Sequence, residues 1–246
     1  MDRLAKGIEI GKQLLADAAR RARTLEEDLK ARREVDVAGM VAGLRARLLD
    51  QLPLTALPLD ADLQEKAGPL GLGSVRTEAW QCDRLRKVVL SHIRLPPMIE
   101  GVALTLIPST ELDFPCFAAD LMALPWRISV NADVYGRDWQ TRDALRPVRT
   151  TFFRLGSGPG PQWVGKLGSG QGLHAKLRPH QVEEGLAALT QGMATYLGEL
   201  AEAPPGRSIE GQTMVFRAFH QHGPRKRMAR LLGEPWAERY SRLLFE

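Results

Sequence analysis

The chain has 246 residues, 44% of them hydrophobic and 26% charged, which is the balance of an ordinary globular protein long enough to bury a full core and excludes a disordered or fibrous one. Lys and Arg together number 34 against 29 Asp and Glu, a formal net charge of +5. That excess favours an acidic partner without choosing among nucleic acid, anionic membrane and acidic protein. No apolar run approaches the roughly 20 residues of a membrane helix, and Met1-Asp2-Arg3 leads into no signal-peptide core, so the expectation is a cytoplasmic protein. The basic residues are spread along the chain rather than gathered in one arm or interleaved with aromatics, which argues against sequence-specific nucleic-acid binding. Cys82 and Cys116 have neither metal-ligand spacing nor a disulfide framework and read as buried thiols.

In chain order, Ile8, Leu14, Leu15 and Ala18 begin one apolar helical stripe, and Val37, Met40, Val41, Leu44 and Leu48 form another. Between them, residues 20–33 are dense in both signs of charge, as on a solvated helical face. Residues 52–73, rich in Pro, Leu and Gly, read as a connecting loop. The period then changes to two, with strand-like runs at 75–80, 87–94, 101–107, 117–123 and 127–135. Short sequential strands with tight connections predict an antiparallel sheet, because parallel pairing needs a crossover between each pair. After Gly136 the pattern returns to helix: Val182, Leu186, Leu189, Met193, Leu197 and Leu200 make one stripe, and Val215, Phe219 and His222 share a face of the next. The loop 156–172 is rich in Gly and Pro but lacks the Gly-Lys-Ser/Thr of a phosphate loop. The predicted architecture is a three-layer α/β/α sandwich with a central antiparallel sheet. It forms one domain: 1–73 helical, 74–136 antiparallel strands and 137–246 mainly helical.

Three places can carry chemistry. In the run 127–135, Ile128, Val130, Ala132 and Val134 alternate with Arg127, Ser129, Asn131 and Asp133. That polar row is either a half-exposed edge or the wall of a ligand cavity. Asp120 stands among Phe114, Cys116, Phe117, Ala118, Ala119, Leu121 and Met122, where burial drives a carboxyl pKa upward unless a partner offsets it. Either a satisfied core aspartate or an acid catalyst fits. Of the histidines (His92, His174, His180, His220 and His222), His220 and His222 are two apart and fall on different helix faces, so they do not form a metal pair. His222 shares the face of Val215 and Phe219.

Two segments carry a resemblance to a known family. The chain ends in the basic stretch Arg225-Lys226-Arg227, Gly233, then Trp236-Ala237-Glu238-Arg239-Tyr240 and Leu243-Leu244-Phe245-Glu246. Upstream, Leu85-Arg86-Lys87 and Ile107-Pro108 precede Asp113-Phe114-Pro115-Cys116-Phe117-Ala118-Ala119-Asp120-Leu121. In both runs, and in Ala132-Asp133, Trp163 and Arg178-Pro179, the sequence resembles the ferredoxin-dependent bilin reductases. The likeness spans residues 76–246.

The resemblance implies an α/β/α sandwich holding a linear tetrapyrrole, typically biliverdin, between the sheet and the C-terminal helices. It implies an oxidoreductase of phytobilin biosynthesis that has no bound cofactor, metal or flavin. Electrons come singly from reduced ferredoxin and protons from side chains, so the substrate passes through radical states. Asp120 falls on the family's central proton donor. Where the phycocyanobilin-forming branch has Glu and His, this chain has Ser91 and Ala103, and where other branches have an acid before the basic C-terminal helix, it has His220-Gln221-His222-Gly223. His222 is therefore the candidate second proton donor. Arg86, Arg127 and Arg225 are candidates for the substrate's propionates, with Ser129 and Asn131 lining the same pocket. Acidic ferredoxin would suit the basic surface. The alternative is a bilin-binding or carrier protein of the same fold without reductase activity; a third reading is a basic helical adaptor.

Overall fold

A computed structural model of the chain describes residues 35–95, 99–124, 127–135, 146–154, 172–206 and 223–245, with a few positions between 13 and 27. Those few, Arg20, Thr24, Glu26 and Glu27 among them, are helical and exposed, as the mixed charges predict. The stripe of Ile8, Leu14, Leu15 and Ala18, the residues from 207 to 222, the loop 156–171 and Trp163 lie outside the described residues.

The elements are α1 (Val37–Gln51), β1 (Thr55–Ala56), the one-turn helix α2 (Ala61–Gln64), β2 (Glu65–Ala67), β3 (Ser74–Cys82), β4 (Leu85–Leu95), β5 (Ile99–Pro108), β6 (Cys116–Leu124), β7 (Arg127–Tyr135), α3 (Arg146–Arg154), β8 (Leu173–Leu177), α4 (Val182–Ala201), α5 (Gly223–Leu232) and α6 (Glu234–Phe245). The strands form one antiparallel sheet in the order β1-β3-β4-β5-β6-β7-β8, with β2 also paired to β3. Helices cover both of its faces, which is the expected α/β/α sandwich.

Period-two alternation sorts the side chains between two cores. On the first face Val88, Leu90, Val102, Leu104, Leu106, Phe117, Leu121 and Val130 pack against Leu44 and Leu48 of α1, Val148 of α3 and the inner stripe of α4. Helix α1 begins where the Asp36 carboxylate caps the Gly39 N–H at 2.8 Å, satisfying an amide that the first turn leaves without a helical partner. On the second face Val75, Ala79, Val89, Ile93 and Leu95 pack against Leu63 of α2 and Leu232, Trp236, Ala237, Tyr240 and Leu244 of α5 and α6. Gly233 separates these two helices at φ +94, a left-handed backbone that a side chain would strain.

The closing Trp-Ala-Glu-Arg-Tyr segment thereby acquires a physical reason. Trp236 and Tyr240, one turn apart, stack with ring centroids 4.7 Å apart, and Ala237 between them is small enough to lie buried on the sheet. The indole N–H donates to the Asp62 carbonyl at 2.7 Å, and Arg239 pairs with Asp60 and Asp62. The last helix is thus fastened to the chain between α1 and β3.

Two expectations need correction. Residues 52–73 are more than a connecting loop, since β1 and β2 within them complete one edge of the sheet against β3. Their shortness and their Pro and Gly content hid them, because the pairing comes from the exposed edge of β3 rather than from local propensity. The part after Gly136 is not all helical either, for β8 joins β7 at the opposite edge. Its five residues alternate Leu173, Ala175 and Leu177 with His174 and Lys176, too short a run to stand out beside the loop before it.

The first face is locked by polar contacts at the far end of α4. Arg84, in the β3–β4 turn, donates from Nε to the Leu200 carbonyl and from a terminal nitrogen to the Ala203 carbonyl, each at 2.8 Å. A cation there answers both the carbonyls at the helix end and the negative end of the helix dipole. Tyr196 donates its hydroxyl to the Pro115 carbonyl at 2.7 Å. Replacing Arg84 with Ala is expected to destabilise the fold by about 2 kcal/mol, the worth of hydrogen bonds from a charged donor. In urea titrations this reads as a lower midpoint at unchanged slope.

Candidate active site on the second face of the sheet

Residues directly opposite each other in antiparallel strands point to the same face, so the register lines up a row across the whole sheet. Thr77 faces Ser91, Ser91 faces Ala103, Ala103 faces Asp120, Asp120 faces Asn131 and Asn131 faces His174. The row lies on the same side as α5 and α6, and all its members except Ala103 are polar.

At one end, the Tyr240 hydroxyl donates to Ser91 Oγ at 2.8 Å, and Ser91 Oγ lies 3.1 Å from Thr77 Oγ1. These three groups are buried and satisfy one another. Burial pushes the Tyr240 phenol up to about 12, against the opposing pull of its bond to Ser91. None of the three changes protonation near neutral pH.

At the other end, Asn131 Nδ2 donates to Asp120 Oδ1 at 2.9 Å. His174 Nδ1 lies 3.2 Å from Asn131 Oδ1, and His174 Nε2 lies 3.5 Å from Asp133 Oδ2. Asp133 is fully buried, and its second oxygen accepts from the Val134 N–H at 2.8 Å. Gly172 leaves room for this carboxylate, since a Cβ there would fall 2.4 Å from Asp133 Cγ. Burial pushes Asp120 up to about 6, against the bond from Asn131 and the charge of His174, both of which lower it. Asp120 therefore exchanges a proton close to neutrality, the range useful to a general acid. Burial, followed by the charges of Asp133 and Asp120, holds the Tyr135 phenol well above its ordinary value.

The structure brings together Asp120, Asn131 and Ser129, which are half-buried on one face. Arg86, half-buried on β4, acts on the Cys116 thiol, and Cys116 lies on the Asp120 face of β6. Burial nevertheless carries that thiol up to about 12, so it is an inert buried cysteine. Arg127 opens β7, but its side chain lies outside the described residues, as does all of His222. Arg225 lies in the first turn of α5 and reaches across to α6, where it bonds to Glu234 and, at 3.2 Å, to Glu238. His174 was missed as a partner of the site, because only strand β8 carries it beside Asn131. Its signal was the alternation of residues 173–177. Among the described residues no group of His, Cys, Asp and Glu is arranged to hold a metal ion, and no helix is long and apolar enough to cross a membrane.

The model of the family described as ferredoxin-dependent bilin reductase matches residues 41–135, the stretch from α1 through β7 that contains Ser91, Ala103, Asp120 and Asn131. Over that stretch the chain is similar to the ferredoxin-dependent bilin reductases. That match points to an oxidoreductase. Its fold is that of phytochromobilin synthase from tomato, solved in complex with biliverdin. The two share 14% identity at a TM-score of 0.68, over 85% of this chain and 83% of that one. No curated protein matches the sequence.

A carboxyl raised by burial makes the ionised form a liability for the fold. The native state holds the Asp120 proton more tightly than the unfolded chain does, so stability falls as pH rises from the ordinary carboxylate range to about 6 and is level above it. Asp120→Asn keeps an acceptor for Asn131 and removes the charge. Above pH 6 it is expected to stabilise the protein by roughly 1–3 kcal/mol, an advantage that shrinks towards pH 4 in denaturant titrations across pH.

Proposed function

We propose that this protein is a ferredoxin-dependent bilin reductase, which reduces biliverdin, or a related linear tetrapyrrole, with electrons delivered one at a time by reduced ferredoxin. In this reading the tetrapyrrole lies over the second face of the sheet, beneath the C-terminal helices, and Asp120 meets its pyrrole nitrogens. The observation that carries it is the placing of Asp120: a half-buried carboxyl at the centre of the polar row, raised to about 6, on the face of the sheet that packs α5 and α6. The family supplies the reaction class and the electron donor, and the tomato protein of the same fold is solved with biliverdin.

Each reduced double bond gains two electrons and two protons. Ferredoxin gives the electrons, Asp120 gives a proton to the electron-rich bilin, and water recharges the resulting carboxylate. His222 is the proposed source of a second proton from the opposite wall. Arg86 and Arg127 are the proposed partners of the propionates, and Ser129 and Asn131 line the pocket. Arg225, already bridged to Glu234 and Glu238, joins them if bilin displaces one of these carboxylates.

The departures at Ser91 and Ala103 have a consequence for the product. The Tyr240-Ser91-Thr77 end of the row holds no group that titrates near neutrality, so proton delivery is concentrated at the Asp120 end. Reduction is then expected at the part of the bilin over β6–β8.

Anaerobic incubation with biliverdin, ferredoxin and an electron source is expected to give products whose absorption is blue-shifted from biliverdin. Asp120→Asn is expected to bind bilin but to slow turnover at least 100-fold, the usual worth of a positioned general acid. A stable bound spectrum that never shifts would point to the carrier reading, and no spectral change at all would exclude both.

The net charge of +5 suits docking of an acidic ferredoxin. The KM for ferredoxin is expected to rise several-fold between low salt and 0.5 M salt while kcat changes little, because screening weakens steering rather than chemistry.

A further inference from the structure

The β6–β8 end of the row is a continuous line, Asp133–His174–Asn131–Asp120, of which the reaction above uses only the last member as a donor. His174 has a side chain 6% exposed, with one ring nitrogen towards Asp133 and the other towards Asn131. We propose that His174, backed by Asp133, is a positioning residue that governs, through the Asn131 amide, whether Asp120 holds a proton. The proposal rests on the reading of Asp120 as proton donor.

The argument is one of donors and acceptors. A primary amide has one accepting end and one donating end, so Asn131 forces a polarity on its two neighbours. With Nδ2 donating to Asp120, Oδ1 faces His174, and Nδ1 must carry a hydrogen. Nε2 then faces the Asp133 carboxylate, so both nitrogens are satisfied as donors only when the ring carries two hydrogens. Asp120 is then ionised. With the amide turned by half a rotation, Oδ1 accepts from a protonated Asp120, Nδ2 donates to a bare Nδ1, and Nε2–H donates to Asp133. The ring is then neutral.

Both arrangements satisfy every group, and both contain the same number of protons and the same net charge. The single difference is that one proton sits on His174 in the first and on Asp120 in the second. Mixed arrangements set donor against donor or acceptor against acceptor, at about 1–3 kcal/mol each. When Asp120 passes its proton to the bilin, Asn131 turns and His174 takes one from water, so the buried line keeps its charge until water recharges Asp120 and His174 gives its extra proton back. No proton crosses the amide itself.

Among the described residues the other titratable or charged groups on this side of the sheet include Cys116 on β6, Tyr135 on β7, Lys176 on β8, Arg86 and Lys87 on β4, Arg225 on α5, and Glu238 and Tyr240 on α6. Cys116, Tyr135 and Tyr240 are all raised by burial and stay neutral across the range that matters. Lys176 is exposed, and Arg86 and Lys87 are half-buried.

The test reads the Asp120 carboxyl band by difference infrared spectroscopy in ligand-free protein, assigned by its loss in Asp120→Asn. His174→Gln is close in size and can both donate and accept, but it cannot take up a proton. It is expected to raise the midpoint of Asp120 by about one unit and to move the falling limb of the turnover pH profile with it. His174→Leu is expected to do the same. In an Asn131→Leu background the His174→Gln shift is expected to drop below a third, since the effect travels through the amide. A midpoint that moves by less than about 0.3 unit in His174→Gln, or that moves equally with and without Asn131, would overturn the proposal. The infrared result needs no substrate. Failure of wild-type protein to reduce bilin would therefore count against the proposed reaction alone.

Discussion

The site depends on strand register. Six residues from six strands come into one line because each antiparallel pairing from β3 to β8 sets its members face to face. A slip of one residue in β6 would turn Asp120 into the core beneath α4 and bring Ala119 or Leu121 to the other side. What prevents the slip is the opposite face. Phe117, Ala119, Leu121 and Ala123 alternate with Asp120 and are all buried against the first layer of helices, so moving them to the other side would forfeit burial worth several kcal/mol. The apolar half of the strand holds the polar half in place.

Along the row the two ends behave differently because their groups differ in what burial does to them. Hydroxyls lose little by burial once bonded to one another, so Thr77, Ser91 and Tyr240 form a fixed end that also seats the last helix. Carboxylate, amide and imidazole groups can each be bonded in more than one sense, and the other end is built of such groups, Asp120, Asn131, His174 and Asp133. Ala103 separates the two and lends neither a donor nor an acceptor. The closing helix, held by Trp236 on the Asp62 carbonyl and Tyr240 on Ser91, ties the covering layer to the inert end.

Much of this arrangement was legible in the sequence. The strands from β3 to β7 stood out by alternation, and Asp120 stood out as the one carboxylate in an apolar run. The Trp-Ala-Glu-Arg-Tyr ending marked a helix whose purpose is now seen in its stacked rings and its two hydrogen bonds. The edge strands were not legible, because β1, β2 and β8 are short and are defined by a neighbour's free edge rather than by their own residues. Missing β8 meant missing His174, whose importance lies wholly in a long-range pairing with Asn131. The joint placement of Asp120 and Asn131 followed from alternation only once the register between β6 and β7 was known.

The central claim is that a bilin lies on this row with Asp120 against its pyrrole nitrogens, and a crystal structure of the protein with biliverdin bound tests it most directly. The account predicts the tetrapyrrole over β5–β8 on the face shared with α5 and α6, with an Asp120 carboxyl oxygen within about 3.2 Å of a pyrrole nitrogen or lactam oxygen. A bilin bound on the α4 side of the sheet, or on this side but out of hydrogen-bond reach of Asp120, would contradict it.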